Sequence, residues 1–191
     1  MKVLERTKRE IELKAEKMND FLRMEYLESC LGKFVNSETL RYCYSELSRL
    51  YEKKHMYTDS IKYLEKFQEL CLTQKEKYDS YLKEIELLIK AGLYDRVDFA
   101  YNKIKEIILP REKDEVIKKM IIMFKEEAEK QEKSNRYRMA AKAYEKLLRI
   151  EKGIDAIEIK RKLALMYKKL CMIRESIELE RELAREGYST Y

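Results

Sequence analysis

The sequence predicts an all-α fold, a right-handed α-solenoid of about five antiparallel helix pairs, on three observations. First, a short break flanked by helical pattern returns five times in 191 residues, at Asn19, His55, Gly92, Asn135 and Cys171. The spacings are 36, 37, 43 and 36 residues, and an aromatic stands two places after four of the breaks: Phe21, Tyr57, Tyr94 and Tyr137, with Ile173 in the fifth. A period in the 30s with helices on both sides of each break marks stacked repeats rather than a closed globule. Second, breakers are scarce, with four glycines and one proline against 41% charged residues, chiefly Lys and Glu, which helices tolerate well. Third, small residues recur where paired helices would cross: Ser48, Ala128 and Ala164 in first helices, Ser60, Ala140 and Ser176 in second helices. Close helix approach needs small side chains at the crossing and large ones on the flanks.

Ten helices follow, at about 3–18, 20–33, 37–54, 57–73, 75–91, 94–109, 112–133, 136–151, 154–170 and 173–187. Cap residues support the starts: Asn19 and Asp20, Ser37, Thr73, Asp95, Ser134 and Asn135, and Asp155. Gly32, Gly92, Gly153 and Gly187 fall at helix ends, where a left-handed backbone suits glycine. Pro110 sits between the sixth and seventh helices, where it breaks no ladder. The seventh helix is the long one, and its cluster Val116, Ile117, Met120, Ile121, Met123 and Phe124 reads as buried packing, with a partner-docking patch as the alternative. The repeats run approximately 3–36, 37–73, 74–110, 111–152 and 153–191, in a single domain spanning 1–191. Tyr51, Leu64, Phe67, Leu88, Tyr101, Tyr144, Leu147, Leu163 and Tyr167 occupy the expected core positions.

The pattern resembles the tetratricopeptide repeat. The closest stretches are Leu163, Ala164, Tyr167 to Ser176, and Asn135, Tyr137, Ala140, Tyr144, Leu147. The family's early tryptophan-like position holds Tyr44, Tyr81 and Phe124 in the middle copies, but Lys8 and Lys160 in the outer ones. Its turn glycine survives as Gly92, and Pro110 is one residue late for its closing proline. The resemblance implies a superhelix whose first helices line a concave surface that holds segments of other proteins. The family's carboxylate clamp needs asparagines on first helices, which are absent here, so that site is not carried over.

The net charge of +6 comes from 42 basic and 36 acidic residues of interspersed sign, the pattern of a solvated, salt-bridged helical surface. Four widely spaced cysteines, Cys30, Cys43, Cys71 and Cys171, lack zinc-knuckle or redox spacing and read as buried thiols in a reducing compartment. No apolar run approaches the roughly 20 residues of a membrane span, and the N-terminus has no apolar signal stretch. The expected location is cytoplasmic. His55, the one histidine, lies in a turn and cannot by itself build a metal site or proton relay. No phosphate loop, catalytic constellation, metal or cofactor site is expected, and the reading is non-enzymatic.

One regularity does suggest a surface. The residue two places before every break is lysine: Lys17, Lys53, Lys90, Lys133 and Lys169. A cation in the last turn complements the helix dipole, which accounts for the pattern without any ligand. On inward-facing first helices the same lysines would form a ladder. The expected partner-binding groove is therefore Arg49, Lys53, Lys90, Lys125, Lys133, Arg161 and Lys169, facing a protein or peptide that carries acidic groups. RNA bound through the basic face is the alternative, and self-association through a solenoid end or the 116–124 cluster is a third reading.

Overall fold

The computed structural model describes residues 3–33, 36–152 and 155–186; the helix-end assignments of Gly153 and Gly187 lie outside them. The described residues form ten α-helices and no strand: α1 (Lys8–Glu16), α2 (Asp20–Leu31), α3 (Ser37–Lys53), α4 (Tyr57–Glu69), α5 (Gln74–Lys90), α6 (Tyr94–Lys105), α7 (Lys113–Lys133), α8 (Tyr137–Ile150), α9 (Asp155–Lys169) and α10 (Ile173–Arg185). A 3-10 turn at Pro110–Glu112 leads into α7, with the proline at its start. The chain divides into two compact units, Met1–Ala91 with Phe99–Ile107 and Gly92–Asp98 with Ile108–Tyr191, and the division passes through α6. In the first unit α2, α3, α4 and α5 pack each on the next, and in the second α7, α8, α9 and α10 do the same.

Local chemistry sets the boundaries. α1 starts later than expected because Thr7 and Glu10 form a reciprocal capping box at Lys8. The residues before it are tied down by Lys33, whose Nζ donates to the Val3 and Glu5 carbonyls at 2.9 and 3.0 Å. A second box, Thr73 with Glu76, opens α5, and Glu76 also accepts from the Leu72 amide. Asn19 caps α2 as expected, whereas Asn36 rather than Ser37 caps α3. Gly32 ends α2 at φ −74°, so its left-handed role is not used.

The five breaks are largely one turn, repeated. His55, Gly92, Asn135 and Cys171 all have left-handed backbones, with φ of 60°, 72°, 57° and 58°. In three copies the hydrogen bonds match atom for atom. The amides of His55, Asn135 and Cys171 donate to Glu52, Glu132 and Lys168, and the next amides, of Met56, Arg136 and Met172, reach back to Tyr51, Gln131 and Tyr167, each at 2.9 Å. This is the Schellman ending, which satisfies the last carbonyls of the first helix. The same three residues then cap the second helix with their own carbonyls, which accept from Ser60, Ala140 and Ser176. Asn19 is the exception: with φ −68° it is a plain N-cap.

The turn delivers the expected small residues to the crossing. Ser60 is fully buried and its Oγ donates to the Ser48 carbonyl at 2.7 Å. Ser176 repeats this on Ala164 at 3.1 Å, and Ala128 and Ala140, both fully buried, hold the equivalent places in the α7–α8 pair. Around the crossings lie Leu47, Ile61, Leu88, Phe124, Tyr144, Leu147 and Leu163, all buried. Of the α7 cluster, Val116, Met120 and Phe124 are buried and Ile117, Ile121 and Met123 half-buried, so the packing reading holds for one stripe of it.

Some core expectations need correction. Tyr51, Phe67, Tyr101 and Tyr167 are only half-buried. Two of these tyrosines turn their hydroxyls to carboxylates, Tyr51 to Glu28 at 2.6 Å and Tyr167 to Glu145 at 2.9 Å, which draws the ring tips outward. Lys105 lies over the Tyr101 ring at 5.0 Å. The aromatics after the breaks do not uniformly plug the pair: Tyr94 is buried, but Phe21 and Ile173 are exposed. Tyr137 is half-buried and bonds back to the left-handed Asn135 at 2.6 Å. Cys30, Cys43 and Cys71 are buried thiols, whereas Cys171 is exposed, because the left-handed turn residue points out of the pair.

Two outcomes follow. Leu147→Ala empties a fully buried site and should lose about 2–5 kcal/mol in urea denaturation. Cys171→Gly removes a side chain from a left-handed position and should gain roughly 0.5–1 kcal/mol, the relief of strain offset in part by a freer unfolded chain.

Candidate partner-binding cleft

The expected basic set falls into the two units separately. In the first, the residues are drawn apart by acids. Lys53 pairs with Asp20 of α2 at 2.9 Å. Lys90 binds Glu52 of α3 at 3.0 Å and, more closely, Glu86 of its own helix. Arg49 is held by both oxygens of Glu46, at 3.0 and 2.9 Å. In the second unit Lys125 and Lys133 lie close enough to Glu129 to help hold its carboxyl below the usual glutamate range, after the stronger hydrogen bond from Lys162. Lys169 sits 4.3 Å over the Tyr137 ring, and Arg161 is exposed on α9. The ladder is thus real as a sequence position, but most of its members have local partners.

Of the seven, Arg49 alone lines a cleft that the structure opens in the first unit. This cleft of about 430 Å³ lies between α3 and α5, two first helices, with α4 beneath. Ser45, Ser48, Arg49 and Glu52 form one wall and Glu76, Asp79, Ser80 and Lys83 the other. Both walls follow the spacing i, i+3, i+4, i+7, one face of a helix. Leu64 and Phe67, one turn apart on α4, provide an apolar floor. Phe67 was expected in the core; its partial exposure is its share of this floor.

Ion pairs join the walls. Arg41 Nη2 meets Glu76 Oε1 at 2.5 Å, and Lys83 Nζ meets Glu52 Oε1 at 2.9 Å. Burial alone would raise the Glu52 carboxyl, but Lys83 and Lys90 outweigh it and hold it below the ordinary value. Glu76 is also depressed, first by the Leu72 and Thr73 amides that it caps and then, against a small burial effect, by Arg41. The sequence pointed to the cations and passed over Glu76, Asp79 and Lys83. The signal for them was present in the matching face pattern of 45, 48, 49, 52 and 76, 79, 80, 83 on consecutive first helices.

No protein-family model matches the chain, and no curated relative matches its sequence. Among solved structures it is similar to nearly identical TPR-like repeats assigned to a kinesin light chain of Podosopora anserina, at 14% identity, with 93% of this chain and 92% of that chain covered and a TM-score of 0.38. The chain's own geometry is that of a tetratricopeptide-like helical repeat: α3–α4, α7–α8 and α9–α10 pair across one recurrent turn, with small residues at the crossing. Among the described residues no helix is long and apolar enough to cross a membrane.

The strut at Glu52 can be tested by neutralising it. Glu52→Gln should lose about 0.5–1 kcal/mol near neutral pH, a modest figure because Lys83 and Lys90 are partly exposed. A carboxyl depressed on folding contributes fully above the ordinary value of 4.5 and loses that contribution as the pH falls through its folded value. Urea denaturation of wild type and variant should therefore differ at about pH 7 and converge in acid.

Proposed function

We propose that the chain is a non-enzymatic interaction module, a scaffold that takes a segment of another protein into the cleft between α3 and α5. The observation that carries this reading is the floor. Leu64 and Phe67 lie at the bottom of an opening whose walls are otherwise serine and charge. Apolar surface set among convergent polar groups is the usual composition of a recognition site. Arg49 belongs to the cleft itself. Lys53, Lys90, Lys125, Lys133, Arg161 and Lys169 are proposed as outer contacts for acidic positions of a partner, where exposed charge steers encounter more than it adds affinity.

The RNA reading has less support. Stacking on bases needs free aromatic faces, and here Tyr51, Tyr63, Tyr144 and Tyr167 are half-buried or buried and turn their hydroxyls to Glu28, Glu132 and Glu145. The proposed compartment is the cytoplasm.

The test is a cleft-filling variant. Ser45 is an exposed wall residue, so Ser45→Trp should leave stability within about 0.5 kcal/mol. Immobilised wild-type chain should capture a set of proteins from its native cell extract, with nuclease present, that the Ser45→Trp chain fails to hold. Identical capture by both chains would place the binding surface elsewhere, and capture that disappears with nuclease would favour RNA.

A further inference from the structure

Resting on the cleft as the binding site, we infer that its occupant is a single basic side chain of the partner, arginine in preference to lysine, inserted end-on. The first ground is shape. Arg41–Glu76 and Glu52–Lys83 link α3 and α5 in the same order along both helices, so the two walls run the same way and are bridged at two levels. At 1.5 Å per residue the bridges lie about 16 Å apart along α3 and about 10 Å along α5. The Leu64–Phe67 floor is reached through the window between them. A helix is about 10–12 Å wide with its side chains and would have to break a bridge to lie lengthwise. One long side chain enters without disturbing either.

The second ground is charge. Arg49 is neutralised by Glu46, Glu52 by Lys83 and Lys90, and Glu76 by Arg41. Of the charged lining residues, Asp79 finds no hydrogen-bond or ion-pair partner among the described residues. It is exposed at the rim, one turn beyond Glu76 on the same face. The hydroxyls of Ser48 and Ser80 are engaged, with Ser60 and with the Lys77 carbonyl, which leaves Ser45 open. The unmet demand of the cleft is therefore an apolar stem for Leu64 and Phe67 that ends in a cation for Asp79. Lys and Arg are the side chains built this way. Arginine fits better, because its planar head is less strongly hydrated and stacks on an aromatic such as Phe67. An acidic side chain would meet Asp79 as a like charge, and a purely apolar one would strip water from Asp79 without replacing it.

The experiment is a methyl NMR titration of the full chain with acetylated, amidated pentapeptides Gly-Ser-X-Ser-Gly, with X as Arg, Lys, Leu or Glu. The Arg peptide should shift the Leu64 methyl signals most, Lys less, and Leu and Glu least. Asp79→Asn, an exposed substitution whose fold the same spectra verify, should weaken the Arg peptide about tenfold. If the Leu peptide binds best, or if the Arg peptide binds Asp79→Asn as well as wild type, the inference is overturned while the cleft remains a binding site. If no peptide moves Leu64 at millimolar concentration, the inference and the cleft reading fall together.

Discussion

The approach of two antiparallel helices at a pair of small residues twelve positions apart is the constraint on which this structure turns. Ser48 with Ser60, Ala128 with Ala140, and Ala164 with Ser176 occupy these places, and in the first and third pair the backbones lie close enough for the serine hydroxyl to reach the opposite carbonyl. That approach requires a tight reversal. The reversal requires one residue in the left-handed region, and the chain accepts the strain at His55, Asn135 and Cys171 without glycine. The cost is met by the carbonyls that the turn satisfies and by the burial of Tyr144, Leu147 and Leu163 around the crossings.

Charge works at a different level. The first helices are joined to their neighbours not by apolar packing alone but by ion pairs such as Lys8–Glu38, Arg41–Glu76, Glu52–Lys83 and, in the second unit, Glu129–Lys162. In a chain with 41% charged residues, part of the charge thus serves as cross-links between consecutive first helices. It also explains why a lysine ladder can recur in sequence without producing a strong positive field: Asp20, Glu52 and Glu86 stand where the ladder's charge would otherwise accumulate.

The helices and breaks were legible because both are written in short-range chemistry. A Thr-x-x-Glu box at Thr73 or a change of period at Asn135 needs only neighbours to act, and α3, α5, α7, α8 and α9 fall within a residue or two of their expected bounds. The small residues at the crossing were legible for the same reason, since the spacing across a fixed turn is fixed. The tyrosines were not. Whether Tyr51 or Tyr167 sinks or tilts depends on Glu28 and Glu145, which lie 23 and 22 residues earlier, and no periodicity records that meeting. The cleft was legible in part: Arg49 was singled out, but the window over Leu64 and Phe67 exists only once α3 and α5 are set side by side. Cys171 was rightly set at a break, but its thiol was read as buried, and the left-handed turn position leaves it exposed.

The shortness of the couplings has a consequence for the order in which the chain acquires its form. The hydroxyl–carbonyl contacts span 12 residues, and the bridges between neighbouring first helices span 30 to 38. Chains dominated by such near contacts close small loops and fold fast, and no distant segment has to wait for another. A hairpin of helices becomes the unit that forms and the unit that frays. Protection from hydrogen exchange would then vary pair by pair along the chain, with the protein behaving as a row of coupled hairpins rather than as a body that melts all at once.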